Sequence, residues 1–221
     1  MNFKYKNIRA LFHLDEPAPL PDEQIQKIRE SFGSIPKSLE AYYQLCGDCE
    51  EMNSTQDFLL VPDNRYAYHF DKFNYPDYCV FYVENQCVSE WAFKKSDANQ
   101  DDPPVYATYD DGKTWHKTCD SVAQFLTAQA YLQRVFSYPY GFEDFLEADT
   151  DQTSEILDKF PPAISDSTLY NGMWFLQPYP DTIIAVMHNH EGIFDVFYSS
   201  ESERHFEEID ALLSELLNPE S

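Results

Sequence analysis

Basic residues are scarce in this sequence: 15 lysines and arginines stand against 39 aspartates and glutamates over 221 residues, a formal net charge of −24. Duplex-binding proteins replace phosphate counterions with Lys and Arg, and the chain has no surplus of either, so no direct nucleic-acid partner is expected. An anionic membrane surface is disfavoured by the same charge. Glycine is also thin, with six residues spread too widely for a phosphate-cradling loop, and no Gly-x-Ser-x-Gly elbow is present. No apolar window approaches the roughly 20 residues of a membrane span. The start, Met1 to Leu11, is basic but leads into neither an apolar stretch nor a small-residue cleavage site. The five cysteines, Cys46, Cys49, Cys79, Cys87 and Cys119, are odd in number and irregularly spaced, which fits reduced thiols in the cytoplasm better than a disulfide framework.

Aromatic residues are plentiful. With 17 Phe, 16 Tyr and 43% hydrophobic residues, the chain carries far more apolar surface than acidic disordered sequences do. It folds while strongly negative, and its length predicts one core. The charge builds towards the C-terminus, where residues 151–221 hold fourteen acidic residues and only Lys159 and Arg204 as bases. A segment so short of cations directs its field outward, towards solvent or a basic partner.

Apolar spacing predicts a helix over 22–32, with Ile25, Ile28 and Phe32 on one face and Gly33 as its stop, and a second from Pro36 to Gly47 striped by Leu39, Tyr42, Tyr43 and Cys46. Strands are expected at 58–61, 79–83, 86–93 and 105–109, with Glu84-Asn85 as a two-residue turn and Asp111-Gly112 turning the chain towards Trp115. Ser121 and Gln124 have capping-box spacing ahead of a helix to Phe136. Residues 137–168, with Pro139, an acidic run from Glu143 to Asp151 and Pro161-Pro162, read as a connector with short helical pieces. Strands resume at 173–176, 182–187 and 193–198, the last two a hairpin around Asn189–Gly192. A final helix carries Ile209, Leu212, Leu213, Leu216 and Leu217 and stops before Pro219. The fold class is therefore α+β, a mainly antiparallel or mixed sheet flanked by helices.

Motifs for chemistry are weak. Cys46-Gly-Asp-Cys49 has redox spacing, but it falls at a helix C-terminus, where the dipole raises a thiol pKa, and no second close cysteine pair completes a zinc site. His188 and His190 share one face of a strand, with Glu191 the one nearby carboxylate. Asp97 to Asp102 begins like a calcium loop, but Asp102 occupies the glycine position and Thr108 the bidentate-glutamate position. Pro103-Pro-Val-Tyr106 continues into a strand and is not free as a polyproline ligand. The expectation is a protein without catalytic residues, cofactor or metal.

Ile35-Pro-Lys-Ser-Leu-Glu-Ala-Tyr-Tyr43 ending at Gly47, then Glu84-Asn-Gln-Cys-Val-Ser-Glu-Trp91, Asp102-Pro-Pro-Val105, Trp115 and Ser121-Val-Ala-Gln-Phe-Leu126 stand in an order and spacing that resemble the SUKH superfamily, which includes immunity proteins of bacterial polymorphic toxin systems and the fungal Smi/Knr-type regulators. The resemblance covers residues 20–136, with Ile35 for the usual leucine and Cys87 where glycine is common. It implies a SUKH-like core over 1–136, with 137–221 as a C-terminal extension of the same domain. It also implies an action by binding: neutralisation of a cognate toxin, often a nuclease, or alternatively an intracellular regulatory scaffold. A nuclease carries a positive face, and a chain of charge −24 would be steered to it. The contact residues expected on this basis are Glu84, Glu90 and Trp91 of the hairpin with Asp101, Asp102, Asp110 and Asp111 of neighbouring loops; the alternative is a core place for Trp91, common for strand tryptophans, and a turn-forming role for the loop aspartates. The oligomeric state is left open.

Overall fold

The computed structural model describes residues 5–66, 68–164 and 172–217, and the chain divides into two compact units, Met1–Gln133 and Arg134–Ser221. In the first unit, helices α1 (Lys6–Leu11), α2 (Asp22–Phe32), α3 (Lys37–Cys46) and α4 (Glu50–Asn53) precede strands β1 (Phe58–Leu59), β2 (Tyr78–Val83), β3 (Glu90–Lys94), β4 (Val105–Thr108) and β5 (His116–Cys119). Helix α5 (Val122–Ser137) begins in this unit and ends in the second. The division at 133/134 lies inside α5, as does the sequence-based boundary at 136/137.

The α3 stripe is fully internal: Leu39, Tyr42, Tyr43 and Cys46 are all buried. Gly47 follows it with a helical φ of −60°, so it does not act as a left-handed stop. It is required for space, because a Cβ there would lie 2.8 Å from both the Leu20 Cβ and the Tyr43 carbonyl oxygen. The five strands form one antiparallel meander in the order β1-β2-β3-β4-β5. Phe81, Tyr82 and Trp91 of this sheet pack on Phe125 of α5, and Phe93 packs on Phe81. Each such ring contributes roughly 1.5–3 kcal/mol of burial. Gln133 ties the same helix to the sheet through buried polar bonds, its Nε2 donating to the Asp57 carbonyl (2.6 Å) and to the Tyr82 hydroxyl (2.9 Å).

The β2–β3 connection is a six-residue loop, residues 84–89, and not the two-residue turn expected at Glu84-Asn85. The loop is held by its own polar groups: the Glu84 N–H donates to the Ser89 carbonyl, and Cys87, at φ +61°, donates its N–H to the Glu84 carbonyl. β3 therefore starts at Glu90, paired with Val83.

The second unit contains β6 (Tyr140–Gly141), β7 (Leu146–Ala148), α6 (Thr150–Lys159), β8 (Met173–Tyr179), β9 (Thr182–His190), β10 (Ile193–Ser200) and α7 (Glu203–Leu217). Its strands form a separate antiparallel sheet ordered β6-β10-β9-β8, with β7 also paired to β10. The segment read as a connector thus supplies two strands and a ten-residue helix, which Asp149 and Gln152 start with a complete capping box. Ile184, Val186, Val196 and Tyr198 on one sheet face pack with Ile156 of α6 and with Ile209, Leu213 and Leu217 of α7. The C-terminal residues thereby build a hydrophobic cluster of their own, where the sequence reading places one core for the chain. Pro219 lies outside the described residues. The architecture is α+β with antiparallel sheets and flanking helices. No helix among the described residues is long and apolar enough to cross a membrane.

Candidate functional site

The hairpin residues expected at a contact surface are mostly internal. Glu84 turns its carboxylate back on its own loop, Oε2 accepting the N–H groups of Gln86 (2.8 Å) and Val88 (3.1 Å). Trp91 is 1% exposed and packs on Tyr82 and Phe125. It is a core residue and not a surface anchor, because the register that pairs it with Tyr82 points it into the unit. Glu90 is 6% exposed and accepts a hydrogen bond from the Tyr75 hydroxyl (3.0 Å). Burial pushes its carboxyl above the ordinary range, the Tyr75 bond opposes that, and Asp111 adds to it.

Tyr75 caps this buried carboxylate, and its ring packs edge-on against Trp115 at 5.4 Å. Tyr75 lies so close to Gly112 that a Cβ at that glycine would come within 2.1 Å of the ring, and Gly112 has φ +76°. Trp115 donates its Nε1–H to the Gly112 carbonyl (3.2 Å) and stacks on Tyr78 at 4.2 Å. Asp110 shapes the same turn, accepting from the Thr108 hydroxyl (2.9 Å) and from the Thr114 N–H (2.9 Å) and hydroxyl (2.7 Å). The Thr114 bonds lead in holding its carboxyl down to about 2. Asp111 is exposed, with φ +55°.

The expected set therefore separates into two groups. Glu84, Glu90 and Asp111 share an electrostatic neighbourhood around Cys87, whose thiol is pushed up first by burial and then by those three carboxylates. Asp101 and Asp102 instead serve helix starts. Asp101 pairs with Lys37 at 2.6 Å, and Asp102 Oδ1 accepts the Ala123 N–H (2.9 Å) in the first turn of α5.

The other chemistry-bearing groups are likewise engaged in structure or lie open. None of the five cysteines is in a disulfide, and burial raises the Cys46 pKa far above the ordinary thiol value. His188 and His190 are at the exposed end of β9, His188 edge-on to Phe194 at 5.2 Å. His205 was not singled out by its sequence context. Its Nδ1 lies 2.8 and 3.0 Å from the two Asp181 oxygens, and its ring stacks on Tyr179 at 4.1 Å. Among the described residues no group of three or more His, Cys, Asp or Glu side chains is placed to hold a metal ion.

Acidic residues dominate the charged groups and are concentrated in the second unit. Eighteen acidic residues stand there against three basic ones, a net of −15. Several of these carboxylates are hydrogen-bonded by neutral donors: the Asp195 Oδ1 by Asn189 (3.0 Å), Asp210 by the Tyr198 hydroxyl, and Glu208 by the Tyr179 hydroxyl (2.9 Å) as well as by Arg204. A neutral donor satisfies a carboxylate without cancelling its charge. No family model, curated protein or solved structure matches the chain.

Proposed function

We propose that the protein is a cytoplasmic immunity protein that binds a cognate toxin, a basic nuclease-type protein, and neutralises it by contact. The observation that supports this most directly is the net charge of −15 on the C-terminal unit, borne by residues with few internal cations to oppose it. Such a field raises the encounter rate with a cationic protein and selects against acidic ones. The SUKH-like hairpin sequence supplies the toxin-immunity context, and buried Glu84, Glu90 and Trp91 act in this reading as the frame of the first unit.

Co-expression with the toxin encoded beside the gene tests the proposal. Rescue of growth is expected, together with a complex whose association rate falls about tenfold as the screening length shrinks from about 30 Å to about 8 Å between 0.01 and 0.15 M salt. A toxic neighbour that the protein neither binds nor silences would overturn the reading.

A further inference from the structure

A groove of about 520 Å3 opens between α6 and α7 in the second unit. Leu212 and Leu216, four residues apart on α7, supply its apolar lining and rest partly buried against the hydrophobic cluster. Asp151 and Glu155 of α6 and Glu215 of α7 rim it. Asp149 and Gln152 also border the groove but are engaged in the α6 capping box, and the Gln152 Nε2 donates to the Leu217 carbonyl (3.1 Å).

The three rim carboxylates differ in their fit to their helices, Asp151 lying in the first turn of α6, where the dipole favours negative charge. Asp151 and Glu155 are like charges at i, i+4, a spacing that opposes helix formation. Glu215 stands in the last turn of α7, where the helix dipole already places negative charge and no basic residue follows. Lys159 lines the groove four residues after Glu155 without forming an ion pair to it. None of the three carboxylates has a hydrogen bond or ion pair among the described residues. An apolar strip one helical turn long, flanked on both sides by unpaired acids, is complementary in shape and charge to a helix with leucine-like residues on one face and cations beside them.

We infer that this groove docks an amphipathic, Lys- and Arg-bearing helix of the protein partner, its apolar residues on Leu212 and Leu216 and its cations against Asp151, Glu155 and Glu215. The inference rests on the reading that the chain binds a basic protein, and it names the surface that does so.

The test uses the full chain and a peptide of about 14 residues of Leu and Lys with its leucines at helical spacing, roughly four turns. A permuted peptide of the same composition is the control. Two charge-matched double variants are compared by fluorescence anisotropy: Glu155→Lys with Glu215→Lys at the groove, and Glu16→Lys with Glu23→Lys on the first unit. The groove pair is expected to weaken the amphipathic peptide by about tenfold or more and the distant pair by less than about twofold, with the permuted peptide binding weakly throughout. Glu155→Gln with Glu215→Gln, which removes charge without reversing it, gives an intermediate loss and guards against a folding artefact. Equal losses from the groove and distant pairs, or equal binding of both peptides, overturn the inference in favour of a diffuse field. With the neighbouring toxin as probe, a groove variant that binds as tightly as the parent overturns the groove alone, whereas a parent chain that does not bind the toxin overturns the proposed function.

Discussion

Trp91→Ala separates a core role from a contact role for the hairpin. The side chain is 1% exposed and touches the rings of Tyr82 and Phe125 at centroid distances of 6.4 and 5.5 Å. Truncating a buried Trp to Ala removes its transfer free energy and leaves a cavity, together costing about 3–5 kcal/mol. Urea slopes for units of this size run about 1–3 kcal/mol/M, so the unfolding midpoint of the first unit should fall by about 2 M. The remaining tryptophans make the assay clean, because Trp115 lies in the first unit and Trp174 in the second. A Trp91→Ala, Trp174→Phe chain therefore reports the first unit through Trp115 alone, against Trp174→Phe as reference. At a temperature where the variant remains folded, its affinity for a basic partner should stay within about threefold of the parent, since Trp91 offers no surface. A midpoint shift below about 0.5 M combined with lost partner binding would refute the reasoning and return Trp91 to the interface.

Two further outcomes follow from the covered carboxylate beside it. Because burial holds the folded Glu90 pKa above its unfolded value, the protonated form is the favoured one in the fold; that stabilisation is complete below the ordinary carboxylate pKa of about 4.3 and is lost as pH rises through the folded value. Glu90→Gln is accordingly expected to stabilise the first unit at pH 7, with the advantage over the parent shrinking towards pH 4 in paired urea titrations; a loss of stability of similar size at both pH values contradicts this. Gly112→Ala meets both a φ of +76° and the Tyr75 ring at 2.1 Å, so it should cost about 2 kcal/mol or more. It should also shift Trp115 emission, and parent-like stability with unchanged emission would count against the aromatic cover.

The long helices were legible because their apolar spacing coincides with what the fold buries: Ile25, Ile28 and Phe32 of α2, the α3 stripe, and Ile209, Leu213 and Leu217 of α7 are all buried. Strands β6 and β7 were not, since two- and three-residue segments with exposed Tyr140 and Gly141 have too few alternating positions to register a period. Trp91 stood between core and contact surface for a different reason. The side that a strand residue faces depends on the register of the whole hairpin, and one residue of slip exchanges the faces. A turn assumed at Glu84-Asn85 leaves that parity undetermined; the six-residue loop, organised by the Glu84 carboxylate, fixes it. The groove was beyond sequence reasoning altogether. Its parts were visible singly, as an acidic run ending at Asp151 and a leucine stripe in α7, but their meeting depends on packing between helices more than forty residues apart.

The abundance of tyrosine and the shortage of lysine and arginine are two sides of one arrangement. Glu90, Glu208 and Asp210 each accept a hydrogen bond from a tyrosine hydroxyl, Asp110 from two threonines, Asp195 from Asn189, and Glu84, Asp102 and Asp149 from backbone N–H groups. The tyrosine donors are themselves held protonated: burial and then Glu90 raise Tyr75, burial and then Asp210 raise Tyr198, and the bond to Glu208 raises Tyr179. Ion pairs, of which Glu208 alone in this set makes one among the described residues, to Arg204, satisfy the same oxygens but also cancel the charge. Neutral donors meet the hydrogen-bonding requirement of the fold and leave the electrostatic field intact, at the cost of self-repulsion in the compact state. The cationic partner proposed above would relieve that repulsion on binding, so the strain borne by the free protein would become part of the affinity. In the proposed complex that conversion falls to carboxylates with no donor among the described residues, of which Asp151, Glu155 and Glu215 stand at the rim of the α6–α7 groove.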